Sequence, residues 1–181
     1  MDAEPIFNQH NKEEFPPAHT AEHLLNQLMV RMFGCERSSK AHIERKKSKI
    51  SYVLDQKPDR KEEKEIERQM NLLIAEDLQV SFEQMTRSEL EQLVSEAEGS
   101  YQGRYDGADD FEPVSYSAVS LERLPANASE MIRLVRIGDF DICPCIGRHV
   151  RSTAQIGHFE LLGTNWDNAT HEFRIRYKIV Q

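Results

Sequence analysis

Three cysteines in 181 residues, Cys35, Cys143 and Cys145, are too few and of the wrong parity for a disulfide framework. Their thiols are free for packing or for a metal. No apolar run approaches the roughly 18 residues that a membrane span needs, so no membrane partner is expected. The start, Met1-Asp-Ala-Glu-Pro5, has no apolar h-region, and without a secretory signal a cytoplasmic protein is expected. Positive charge is also short: 23 Lys and Arg stand against 31 Asp and Glu, a net charge of -8. That balance argues against indiscriminate nucleic-acid binding, which needs a positive surface, while leaving room for a local basic face where Lys and Arg cluster.

What is present is globular: 39% hydrophobic and 30% charged residues, in a length that suits one domain with a real core. Residues 1–17 read as a polar N-terminal arm and 18–181 as the domain. After Pro16 and Pro17, Ala21, Leu24, Leu25, Leu28, Met29 and Met32 recur at helical spacing, with Gly34 as the stop. Ala41–Ile43 and Ser48–Leu54 read as a hairpin round Arg45, Lys46 and Lys47. Pro58 opens a second helix with an inward stripe of Ile66, Met70, Leu73 and Ile74. Val80–Phe82 is a short strand, and Thr86 with Glu89 forms a capping box for a third helix that Gly99 ends. From there to about Asn127 the chain reads as a long loop, with one short strand at Val114–Val119. Met131–Ile137, Phe159–Leu162 and Glu172–Val180 complete the strands, the last alternating an apolar face with Arg174, Arg176 and Lys178. The expected fold is a single α+β domain, a twisted, mostly antiparallel sheet with helices packed on it.

The chemistry concentrates at two places. His19-Thr-Ala-Glu-His23 puts two imidazoles one turn apart on a helix start. Cys143-Pro-Cys-Ile-Gly-Arg-His149 supplies a thiolate and a third imidazole. His19, His23, Cys145 and His149 together make a tetrahedral donor set for Zn2+. Either motif alone is weak, and a buried cysteine with scattered surface histidines accounts for each separately.

Taken together with Gly138-Asp-Phe-Asp141 and the run from His149 to Phe159, these motifs resemble the editing domain of alanyl- and threonyl-tRNA synthetases. More narrowly, they resemble the free-standing proteins of that type that clear mischarged tRNA in trans. The resemblance covers roughly residues 18–165. It implies zinc on His19, His23, Cys145 and His149, and hydrolysis of the ester between a wrong amino acid and the tRNA 3′ end. Three departures stand out. Arg148 replaces a small hydroxyl residue, where it either reshapes the pocket, binds tRNA phosphate or is merely exposed. His42 stands where a small residue is usual, as a proton-transfer group or as a structural strand histidine. Cys143 lies two residues before Cys145, as a competing ligand or a buried thiol. Glu22 is a candidate base or acceptor for a ligand imidazole, or only a first-turn carboxylate favoured by the helix dipole. Arg45, Lys46, Lys47, Lys49, Arg148 and Arg151 are the expected tRNA contacts. The alternative function is a non-catalytic zinc domain that binds tRNA or a protein partner.

Overall fold

The apolar run after the double proline becomes the central rod of the molecule. The computed structural model describes residues 14–97, 111–124 and 130–181, and in it helix α1 spans Pro16–Phe33. Proline is tolerated in a first turn because those N–H groups have no helical partner anyway. Gly34 ends the helix at φ 66, a left-handed conformation that glycine takes without strain. Leu24, Leu25, Leu28 and Met29 are fully buried, so α1 is a core helix wrapped by the rest of the chain. Of the expected arm, residues 1–13 lie outside the described residues, whereas Phe15 is already packed in the core.

The hairpin forms as β1 (Lys40–His42) and β2 (Ser48–Val53), joined antiparallel. Strands β6 (His158–Asp167) and β7 (Glu172–Val180) complete a four-stranded sheet of order β1-β2-β7-β6. On β7 the period-2 pattern works as read: Phe173, Ile175, Tyr177 and Ile179 are buried against the core. Helix α2 (Arg60–Ala75) begins with a capping box between Asp59 and Glu62 and buries Ile66, Met70, Leu73 and Ile74. Its Asn71 amide exchanges hydrogen bonds with the Phe159 backbone at 2.9 Å each way, tying α2 to the edge of the sheet.

The remaining strands make a second sheet rather than extending the first. Strand β3 (Val80–Thr86) pairs with β4 (Met131–Ile137), and β4 pairs with β5 (Asp141–Pro144), all antiparallel. Val135 and Ile137 face the main core, while Ile132, Leu134 and Ile142 face a smaller cluster closed by Leu90 of helix α3 (Arg87–Ala97). The Thr86–Glu89 capping box is present at the start of α3, while its expected stop, Gly99, lies outside the described residues. The expected strand at Val114–Val119 is absent. A 3-10 turn at Tyr116–Ala118 brings Val114 and Val119 together into the smaller cluster, and Ser115 and Ser117 bond each other at 2.5 Å. Turn chemistry thus overrides the β propensity of the two valines.

Candidate metal centre

Helical periodicity positions half of the site. His19 and His23 sit in the first two turns of α1, whose start is pinned by the buried Tyr177 hydroxyl donating to Ala18 O at 3.1 Å. His23 is 4% exposed and His19 half-buried. Because the two rings share a face, their orientation needs only modest outside help.

The other half is a loop, and its shape is held from several sides. Cys145 N donates to Arg133 O at 3.1 Å, extending the β4–β5 ladder by one step. The Arg133 guanidinium then donates to Ile146 O at 2.9 Å and Gly147 O at 3.1 Å. Gly147 runs so close under His19 that a Cβ there would overlap the imidazole, so the position requires glycine. Arg148 contributes backbone: its carbonyl lies 3.0 Å from His19 Nδ1, and its N–H donates to Glu14 at 2.6 Å. Thr20, between the two helix histidines, lies with Oγ1 2.9 Å from His149 Nδ1 and accepts from Val150 N at 3.2 Å. These contacts leave the Nε2 atoms of His19 and His149 for the centre.

The result is a convergence of four donor groups. One ligand atom from each of His19, His23, Cys145 and His149 lies within 4.8 Å of all the others. His19 Nε2 is 3.5 Å from Cys145 Sγ, and the His19 and His149 rings stack with centroids 4.2 Å apart. His149 Nε2 is buried with no hydrogen-bond partner among the described residues, a cost that a cation at the centre would relieve. Three imidazoles and one thiol form a set that zinc takes, so the residues fit the ion.

Electrostatics point the same way. Burial alone would push the Cys145 thiol up, but the three imidazoles gathered round it, His149, His19 and His23, outweigh burial and hold it at about 3, a thiolate. Burial disfavours the His23 cation, yet Asp141 and the Cys145 sulfur raise its pKa to about 9. His19 is raised too: burial opposes the charge, and the hydrogen bond to Cys145 prevails. His149 is lowered, chiefly by burial. A cluster that draws cations this strongly is one that a metal ion would satisfy in their place.

Beside the centre opens a cleft of about 530 Å³, lined among others by Glu22, Asn26, Arg37, Ser38, Val119 and Cys143. Glu22 has a carboxylate oxygen 3.9 Å from His19 Nε2. Cys143 lines the cleft but is outside the four-donor cluster; burial raises its thiol to about 11. His42 is not brought to the cleft. It lies exposed on edge strand β1 with its imidazole 2.5 Å from the Glu44 carboxylate, because β1 is the outermost strand and its side chains face solvent. Arg45, Lys46, Lys47 and Lys49 are exposed on the hairpin, and Arg148 and Arg151 on the loop that carries Cys145 and His149. Arg45 also covers the Phe15 ring, at 4.3 Å.

Sequence reasoning missed the residues that hold the ligands. Asp141 is fully buried, takes a bidentate grip from Arg37 at 2.6 and 3.3 Å, and lies 3.7 Å from His23 Nδ1, an ion-pair separation too long for a hydrogen bond. Burial would raise its carboxyl, and the Arg37 and His23 charges instead lower it. The available signal was an acidic residue between Phe140 and Ile142 in an otherwise apolar strand, a position that tolerates charge only when it is paired.

Residues 132–175 match the family described as the Threonyl and Alanyl tRNA synthetase second additional domain. Over 144 residues, 80% of this chain, the sequence is 28% identical to the alanyl-tRNA editing protein AlaX-L of Pyrococcus horikoshii. The match spans 29% of that curated relative, so the chain corresponds to under a third of its length. No helix among the described residues is long and apolar enough to cross a membrane.

Proposed function

From the premise that this is a protein with an alanyl-tRNA-synthetase-type editing domain, we propose that it is a zinc-dependent deacylase of mischarged tRNA, acting in trans in the cytoplasm. The observation that carries the reading is the convergence of His19, His23, Cys145 and His149 beside a cleft that the first three of them line. These four residues would hold the zinc. A bound zinc ion supplies Lewis-acid charge beside the scissile ester.

The protein's own groups do the rest. The cleft admits the aminoacyl end, with Asn26 and Ser38 among the polar residues of its lining. Glu22 is placed to take the proton of an attacking water or to hold the substrate ammonium. Water adds its oxygen to the ester carbonyl carbon, the bond to the ribose oxygen breaks, and that oxygen leaves as the 3′-terminal hydroxyl. Asp141 and Arg37 fix His23, while Thr20 and the Arg148 carbonyl fix the other two rings. Arg148 does not line the cleft, so the cation that replaces a small hydroxyl leaves the opening free, which favours an active deacylase over a zinc domain that only binds.

The test is release of amino acid from a panel of mischarged alanine and threonine tRNAs, with and without chelator. Hydrolysis that chelator abolishes and zinc restores is expected, with His19→Ala inactive. Zinc-loaded protein that leaves the whole panel intact would overturn the reading in favour of a binding module.

A further inference from the structure

Six large apolar side chains are left open to solvent among the described residues, and three of them belong to the small sheet and the loop that follows it. Phe82 is 51% exposed, Met131 59% and Ile146 74%. The β3–β4 register puts Phe82 opposite Val135, so Phe82, Met131 and Arg133 stand on the same face of the small sheet. On that face Val135 dives into the main core, while Phe82 and Met131 project past its edge.

Arg133 ties this patch to the metal centre. Its guanidinium lies 4.0 Å over the Phe82 ring, and its N–H groups hold Ile146 O and Gly147 O, on either side of the bend that follows Cys145. Arg151 adjoins the other end: its carbonyl accepts from Val80 N at 2.9 Å, and Ser152 bridges Gln79 at the start of β3. By backbone position the strip therefore sets cationic residues among apolar ones, Arg151, Phe82, Arg133, Ile146 and Arg148, with the Arg133 guanidinium joining Phe82 to Ile146. Its neighbours on the outward face of β3 are uncharged, and the Glu14 carboxylate, which accepts from the Arg148 N–H, lies 4.0 Å from His19 Nδ1. On the opposite face, Arg136 is neutralised by Glu83 at 3.1 Å.

We propose that this strip is a stacking platform for the unpaired 3′-terminal nucleotides of an RNA, leading them from Phe82 across Arg133 and Ile146 into the cleft. An aromatic face backed by a guanidinium stacks on any base, and flanking arginines meet the phosphates between bases. A chain of net charge -8 that concentrates cations round one aromatic patch is matched to a polyanion with flat apolar faces. A second copy is a poorer occupant, since three exposed side chains fall far short of the roughly 800 Å² per partner of a stable dimer. The proposal rests on the deacylase reading for the direction of entry, and on the strip itself for the stacking.

The experiment compares two RNA hairpins by fluorescence anisotropy on zinc-loaded full-length protein, one blunt and one with a four-nucleotide unpaired 3′ tail. The tail is expected to tighten binding about tenfold or more. Phe82→Leu, which keeps an apolar side chain without the π face, is expected to remove most of that preference. Phe82→Trp is expected to keep it, and Ile146→Ser to weaken it about two- to threefold. Metal content measured alongside is expected to stay at the wild-type level. Equal affinity for blunt and tailed hairpins, or full tail preference in Phe82→Leu, would sink the platform. A concentration-dependent dimer that Phe82→Leu dissolves, with no tail preference, would reassign the patch to self-association. Wild-type protein that deacylates tRNA without a tail preference loses only the platform. A tail preference without hydrolysis loses only the deacylase.

Discussion

The two halves of the candidate metal centre are built by opposite means. His19 and His23 are presented by a helix whose own hydrogen bonds and buried leucines fix them. Cys145 and His149 are presented by a loop that borrows its shape from Arg133, Thr20, Glu14 and the absence of a side chain at Gly147. A helix carries its geometry in its period, whereas a loop must be held from outside. The site's precision therefore depends most on residues outside the four donors.

The most severe way to break the comparison is Cys145→Ala. Zinc is expected to fall from about one per chain to near zero, read by metal analysis, and deacylation to vanish with it; retained zinc would remove Cys145 from the donors. Gly147→Ala comes next. It leaves all four donors in place but forces the loop off His19, and metal affinity is expected to drop about 10- to 100-fold in competition with a chromophoric chelator. A drop no larger than in an exposed control would show that the loop adapts.

Asp141→Asn probes the helix half through its support. It leaves Arg37 facing a neutral group and His23 without its counter-charge, so a loss of about 3 kcal/mol in denaturant unfolding and about tenfold in zinc affinity is expected. Unchanged stability would mean that Arg37 finds another acceptor. Thr20→Val, nearly isosteric, removes the hydroxyl shared by His149 and Val150. About 1–2 kcal/mol of stability and a few-fold of metal affinity are expected to go, and an equal effect on both halves of the site would blur the contrast. Smallest at the site itself, Lys46→Glu with Lys47→Glu is expected to leave zinc untouched while weakening tRNA binding and flattening its salt dependence. Unchanged affinity would clear the hairpin of a role.

The same contrast sets what could be read in the sequence. The α1 stripe, the β7 alternation and the capping box at Thr86 were legible because each is a local pattern with one structural solution. The partition of the strands into two sheets was not, since nothing local to β3 or β6 says which neighbour it will pair with. Val114 and Val119 misled by propensity: two buried valines five residues apart fit a strand as well as a turn that plugs a small core. At the site, the motif spacing pointed to His19, His23, Cys145 and His149, and the fold brings those side chains together. Arg37 and Arg133 could not be seen in advance, because their partners lie far away in the sequence, whereas Asp141 left only the trace of a lone acid in an apolar strand. His42 shows the converse, a chemically suggestive residue that the edge position of β1 turns toward water.

The sequence distance across the centre has a consequence in time. His19 and Cys145 are separated by 126 residues, and at roughly 5–20 residues per second a ribosome takes about 6–25 s to travel between them. For that interval the nascent chain carries a histidine pair with nothing to complete the four-donor set.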